Sequence, residues 1–190
     1  MAHTTAAARW GSHTHPAVDD HLIQRVAEGD HDALHTLYES VAKNVYGFAL
    51  SITKNTHDAE DVLQETILAV YHKAADYQGK GKPMAWIFTI ARNFSLMKLR
   101  EHQKTTSLED NEILNSASYS HIDSAELRMT LQAVLRLLDS QEQQIVMLHA
   151  VEGMKNREIA EIMQLPLNTV LSKYHRSIKK LRKHLEGQIE

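Results

Sequence analysis

The chain has 190 residues, 43% of them hydrophobic, with 21 Lys and Arg against 24 Asp and Glu and no cysteine. That hydrophobic share can fill one large core or two small ones, while the missing cysteines exclude a disulfide framework, cysteine-ligated zinc and a thiol nucleophile. No apolar run reaches the roughly 18 residues of a membrane span and residues 1–17 lack a secretory apolar stretch, so a cytoplasmic protein without membrane insertion is expected.

Apolar residues recur at helical spacing and nowhere alternate as in a strand, which predicts an all-α chain. Residues 1–18, rich in Ala, Thr and His, read as a disordered tail. A first helix starts near Asp19 with Leu22, Ile23 and Val26 as its stripe, ending at Gly29. A second begins at Asp30 and carries Leu34, Leu37, Tyr38, Val41, Val45, Phe48, Ala49 and Ile52. A third, from about His57 to Asp76, carries Val62, Leu63, Leu68 and Val70, with Asp58, Glu60 and Asp61 in a first turn that the helix dipole favours.

Residues 77–82 (Tyr-Gln-Gly-Lys-Gly-Lys) form a loop by their glycines, and Pro83 suits the first turn of a fourth helix running through Trp86, Ile87, Ile90 and Leu96 to about His102. These four helices make a domain of residues 19–104. Residues 105–122 are polar and without period, an expected flexible linker. A second domain, 123–187, follows, with Leu131, Val134, Leu135 and Leu138 facing inward. Ser140-x-x-Gln143 matches a capping box and opens a helix with Ile145, Val146 and Leu148.

The C-terminal stretch is the most informative. Ile159, Ala160 and Met163 share one face of a short helix, and Gln164-Leu165-Pro166 breaks it, since proline disfavours α conformation in the residue before it. Asn168 is the expected N-cap of the last helix. There Val170, Tyr174, Ile178 and Leu181 face inward, while Lys173, Arg176, Lys179, Lys180, Arg182 and Lys183 dominate the rest. Two helices, a tight turn and a basic second helix predict a helix-turn-helix whose second helix enters a major groove.

The formal net charge of −3 conceals this segregation. Acidic residues concentrate at Asp19–Glu39, Asp58–Glu65 and Glu109–Glu126, basic ones at Lys80–Lys104 and Lys173–Lys183. Two basic surfaces and at least one acidic one are expected, each with its own partner.

Three stretches together resemble the extracytoplasmic-function (ECF) group of sigma-70 factors, the initiation subunits of bacterial RNA polymerase. They are residues 58–66 (Asp-Ala-Glu-Asp-Val-Leu-Gln-Glu-Thr), residues 83–93 (Pro-Met-Ala-Trp-Ile-Phe-Thr-Ile-Ala-Arg-Asn), and Glu158-Ile159-Ala160 through Pro166-Leu167-Asn168-Thr169-Val170. The resemblance implies a region 2-like N-terminal domain and a region 4-like C-terminal one, with core RNA polymerase (its β′ and β subunits), promoter DNA and an anti-sigma factor as partners. It implies that Asp61, Gln64 and Glu65, with Leu68 as apolar support, dock a coiled coil of β′. It puts the minus-ten element at Tyr77, Gln78, Lys80, Lys82, Arg92, Asn93 and Lys98. The minus-thirty-five element falls to Asn168, Thr169, Ser172, Lys173, His175, Arg176 and Lys179.

The residues themselves bear on these roles. Asp61 and Glu65, at i and i+4, share a face on which like charges are unfavourable unless a basic partner waits opposite. Tyr77 at the loop edge is the expected base-stacking ring, whereas Trp86 and Phe88 sit at core spacing. Gln164 and Asn168 stand where glycines are frequent in the family. Leu171 replaces a common basic residue and His175 a larger apolar or aromatic one, changes that bear on the promoter sequence rather than on the fold. A conventional helix-turn-helix regulator with a helical sensing or dimerisation domain is the alternative, though it would not need the loop and basic helix at 77–100.

No enzyme, cofactor or metal centre is expected. Glu60, Asp61 and Glu65 lack an accompanying His pair or phosphate loop. Among thirteen histidines, His31 and His35 have ligand spacing but read as exposed helix residues beside Asp32.

Overall fold

The structure, a computed structural model, describes residues 18–79, 81–105, 137–150 and 153–186. Most of the expected tail, Lys80, nearly all of the linker, and the start of the second domain with Leu131, Val134 and Leu135 lie outside the described residues. Among the described residues seven α-helices follow in order: α1 (Asp20–Ala27), α2 (His31–Thr53), α3 (Thr56–Lys73), α4 (Pro83–Thr105), α5 (Ser140–Ala150), α6 (Asn156–Met163) and α7 (Leu167–Glu186). One 3-10 turn, Ala74–Asp76, follows α3, and no strand occurs among the described residues.

Local chemistry sets most helix starts. Asp19 accepts from the Leu22 amide at 2.8 Å, Asp30 from those of Asp32 and Ala33, and Asn55 from that of Asp58 at 3.1 Å. Each satisfies a backbone donor that the first helical turn leaves unpaired. Pro83 takes the first position of α4, where its missing N–H costs nothing.

Two expectations about the C-terminal half shift. The capping box of α5 is Asp139 with Glu142, one residue before the expected Ser140 and Gln143. Asp139 accepts from the Glu142 amide at 2.8 Å, and Glu142 accepts from the Asp139 amide at 3.0 Å. Two ionised acceptors hold orphan amides more strongly than a hydroxyl and a carboxamide do. Gln143 is instead buried, donating to the Leu138 carbonyl at 3.1 Å. The last helix also starts earlier than Asn168. Pro166 accepts from the Val170 amide at 3.2 Å, so Asn168 lies exposed inside the first turn. Finally, the left-handed residue that stops α6 is Gln164, at φ +53, with the Leu165 amide closing back on the Ala160 carbonyl at 3.0 Å.

α2 is the central rod. Leu37, Val41, Val45 and Phe48 are fully buried along it and meet Val70 and Ala74 from the α3 side and Ile87, Phe88 and Ala91 of α4. Phe48 and Phe88 meet edge to face, with ring centroids 5.3 Å apart. Truncating either to Ala would cost about 3–5 kcal/mol. Phe88 is thus a core residue, as its spacing predicts.

The same buried cluster continues into Ile145, Leu148, Ile159, Ile162, Met163 and Val170 of the C-terminal half. α5 lies against α2 and α6 against α4. Gly47, in mid-α2, permits the approach: a Cβ there would stand 3.3 Å from the Met147 Cε of α5. Across the same contact the Lys54 ammonium donates to the Gln143 side-chain oxygen, and burial holds the Lys54 amine below its ordinary range. Nothing in the helical periodicity foretells this docking of one half on the other.

Candidate nucleic-acid interface

Three surfaces correspond to the three motifs. On α3, Asp61, Gln64 and Leu68 are exposed and Glu65 is half-buried, while Val62, Thr66 and Val70 turn inward. Leu68 is 57% exposed, and Tyr71 follows on the same helix. The expected acidic-polar face with an apolar end is therefore present on the surface.

Its electrostatics differ from the expectation. Lys98 of α4 sits between the two acids, its Nζ 2.9 Å from the Asp61 Oδ2 and 3.4 Å from the Glu65 Oε1. The hydrogen bond to Asp61 and the field of Glu65 raise the Lys98 amine above its ordinary value. Repulsion between Asp61 and Glu65 is thus relieved from within, because α3 and α4 pack side by side. Lys98, expected to hold DNA phosphate, is turned onto the acidic face instead.

The second surface is the loop before α4. Gly79 and Gly81 adopt φ of +56° and +66°, a left-handed geometry open to glycine without strain. Gln78 and Lys82 are exposed, and Lys82 stands 3.6 Å from Glu161 of α6. Tyr77 is not a free stacking platform. It is half-buried, its ring centroid lies 4.9 Å from that of Trp86, and its hydroxyl donates to Asp20 at 2.7 Å. A ring already packed and bonded offers little face to a base. On α4, Asn93 is exposed, whereas Arg92 is half-buried with its Nε enclosed and unpaired among the described residues; burial lowers the basicity of its guanidinium.

The third surface is α7. Asn168, Ser172, His175, Arg176 and Lys179 form an exposed stripe; Thr169 and Lys173 are half-buried. The Ser172 hydroxyl donates to the Asn168 carbonyl at 2.8 Å and the Arg176 Nε to the Ser172 carbonyl at 3.3 Å, leaving the guanidinium end outward. On the flank facing α5 the cations are engaged. Lys173 reaches Asp139 at 3.1 Å, and Lys180 reaches the buried Glu142 at 2.6 Å. Burial pushes the Asp139 carboxyl up, but the Glu142 amide and the Lys173 ammonium outweigh it and hold it below the ordinary carboxylate range. Tyr174 packs inward, stacked on His149 with centroids 4.2 Å apart. Sequence reasoning missed Asp139 and Glu142 as partners of α7, since only the α5–α7 contact brings them together.

Among the described residues no three His, Asp or Glu side chains gather as a metal site, and no helix is long and apolar enough to cross a membrane. His31 and His35 are both exposed.

An exposed acidic face, a glycine loop leading into α4, and a helix-turn-helix with an outward cationic stripe are the pattern of a DNA-binding protein. Residues 37–105 match the family described as Sigma-70 region 2, and residues 128–181 match Sigma-70, region 4. The sigma factor CarQ of Myxococcus xanthus is 31% identical over 172 residues, covering 88% of this chain and 97% of CarQ. The ECF sigma factor SigW of Bacillus subtilis is 27% identical over 177 residues, covering 86% and 94% respectively. In fold, the chain resembles CnrH, solved in complex with the cytosolic domain of CnrY, with a TM-score of 0.65 at 22% identity, over 89% of this chain and 97% of that one. It also resembles RpoE of Bartonella quintana, solved with the anti-sigma factor NepR, with a TM-score of 0.60 at 22% identity, over 80% and 96%. The chain belongs to the sigma-70 family of RNA polymerase sigma factors, in its ECF group.

Proposed function

We propose that the three surfaces divide the work of a sigma factor among named residues of this chain. As an ECF sigma factor it binds core RNA polymerase, directs it to promoters and helps open the DNA. In the proposed division, Asp61, Gln64, Glu65 and Leu68 dock the polymerase. The loop residues Gln78, Lys80 and Lys82, with Asn93 and Arg92 of α4, read and hold the minus-ten region. The α7 stripe of Asn168, Thr169, Ser172, His175, Arg176 and Lys179 reads minus-thirty-five. Lys98 and Tyr77 take supporting roles, one as counter-ion to the docking face and the other as a brace of the loop, and Lys173 contributes weakly because Asp139 already engages it.

The observation that carries this reading is the separation of charge between exposed faces: acids and Leu68 outward on α3, Arg176 and Lys179 outward on α7. A guanidinium at Arg176 suits a guanine edge in the major groove. An anti-sigma factor is inferred as a further partner, supported by the RpoE structure captured with NepR.

The docking assignment is tested by Asp61→Arg combined with Gln64→Ala. Reversing one charge removes attraction for a basic partner and sets the introduced guanidinium against the Lys98 ammonium. Affinity for core polymerase should fall at least about tenfold, the effect expected of a charged interface contact, with helicity by circular dichroism unchanged. Unaltered affinity in the folded variant would sink the assignment.

A further inference from the structure

Asp20 opens α1 and lies outside the stretch 37–105 that matches Sigma-70 region 2. Its carboxylate nevertheless reaches across the domain into the loop before α4. Oδ1 accepts from the Tyr77 hydroxyl at 2.7 Å, and Oδ2 accepts from the Gly81 amide at 2.9 Å. The Tyr77 hydroxyl oxygen in turn accepts from the Lys82 amide at 3.2 Å. Asp20 Oδ2 also stands 3.6 Å from where a Cβ on Gly79 would be. Two side chains thus hold two consecutive backbone amides of a loop that has two left-handed glycines.

These contacts have a physical rationale. Glycines give the loop access to its turn but no preference for it, so its shape must be imposed from outside. A carboxylate beside a nucleic-acid-reading loop would also repel phosphate, unless its charge is taken up by donors. The Tyr77 hydroxyl and Gly81 amide supply both the donors and the restraint, and a hydrogen bond to an ionised acceptor is stronger than a neutral one.

We propose that Asp20 and Tyr77 form a latch that fixes the Gly81 and Lys82 backbone at the entry to α4 in the geometry that reads the minus-ten element, making Asp20 a positioning residue for promoter specificity. The proposal rests on the reading of that loop given above. A loop held in its bound shape loses less entropy on meeting extruded bases, so the latch acts on preference and opening rather than by touching DNA.

Holoenzyme assembled from core polymerase and the full-length chain is assayed on templates randomised over the minus-ten element with minus-thirty-five held constant. Asp20→Ala and Tyr77→Phe should each weaken minus-ten base preference by about tenfold, the loss expected when a charge-assisted bond is removed. Core affinity and minus-thirty-five preference should stay unchanged. The double variant should be no worse than the worse single one, since both break the same latch. Tyr77→Phe keeps the ring against Trp86, so a packing role alone would not produce its effect. Amide exchange at Gly81 and Lys82 reads the latch without DNA, and in Asp20→Ala it should quicken by about tenfold.

Wild-type preference and exchange in Asp20→Ala and Tyr77→Phe, with Asn93→Ala impaired, would overturn the latch and leave the minus-ten reader standing. Wild-type preference in all three variants would overturn the reader as well. Equal losses of minus-ten preference, minus-thirty-five preference and core affinity would make Asp20 a general fold residue and overturn the proposal.

Discussion

Beside the loop that precedes α4, carboxylate oxygens of Asp20 hold a phenol and a backbone amide; beside α7, carboxylates of Asp139 and Glu142 hold the ammonium groups of Lys173 and Lys180. Both sets of acids stand at the start of a neighbouring helix. The consequences differ with what is held. Pinning a backbone shapes a loop whose glycines would otherwise leave it loose. Pinning side chains shapes nothing at the groove; it withdraws two cations from DNA and braces α7 against α5. The charge of a basic helix therefore overstates its pull on phosphate, while His175, Arg176 and Lys179 on the outward flank stay exposed.

Duplex recognition and strand opening can be separated by experiment. Arg176→Ala should weaken holoenzyme binding to duplex promoter by about 5- to 150-fold, the roughly 1–3 kcal/mol of a bidentate guanine contact. Asn93→Ala should instead lower open-complex yield, and a template already mismatched over minus-ten should rescue it more than Arg176→Ala, because the unpairing cost is removed in advance. Equal rescue of the two variants by the pre-melted template would show that at least one reading surface is misassigned.

The brace of α7 provides the next effect. Glu142 is 5% exposed by side chain, caps the Asp139 amide and pairs with Lys180. Glu142→Ala should destabilise the protein by about 1–3 kcal/mol, for a lost cap and a buried charged hydrogen bond. Glu142→Gln, which can keep the cap, should lose less. Urea midpoints of the two variants decide it, and a wild-type midpoint for Glu142→Ala would mean that the α5–α7 brace contributes nothing.

The smallest effect sharpens the division between the flanks of α7. Lys179→Ala should reduce the slope of log affinity against log salt by about one, as loss of one phosphate contact does. Lys173→Ala should reduce it by clearly less, because Asp139 already neutralises that ammonium. Equal changes in slope, measured with holoenzyme on duplex promoter, would remove the distinction drawn between bound and free cations.

Much of this is legible in the chain itself. Asp19, Asp30 and Pro83 announce helix starts through interactions within a turn of their own position, and Phe48 and Phe88 declare themselves core by spacing. The exposed stripe of Asp61, Gln64 and Leu68 follows from the same periodicity, as does the order of helix, break and basic helix at the C-terminus. The departures are of two kinds. Asp139 displaces the expected cap by one residue because adjacent polar side chains compete for the same orphan amides, and Pro166 by two because its carbonyl already accepts the first helical amides. Tyr77 is held rather than free, and nothing near it in sequence reveals Trp86 beneath its ring or Asp20 at its hydroxyl.

The amino-acid order alone determined the helices, their buried faces and the three motifs that mark a sigma factor, since each rests on patterns that repeat within a few residues. Tertiary structure decided how the charges are used. Lys98 meets Asp61 across 37 positions, Lys173 meets Asp139 across 34, and Gly81 meets Asp20 across 61. It also decided that α5 docks on α2 at Gly47, extending one core through both halves. Electrostatic pairing depends on distance in space, and helical periodicity says which face a residue occupies without saying which helix will lie against it.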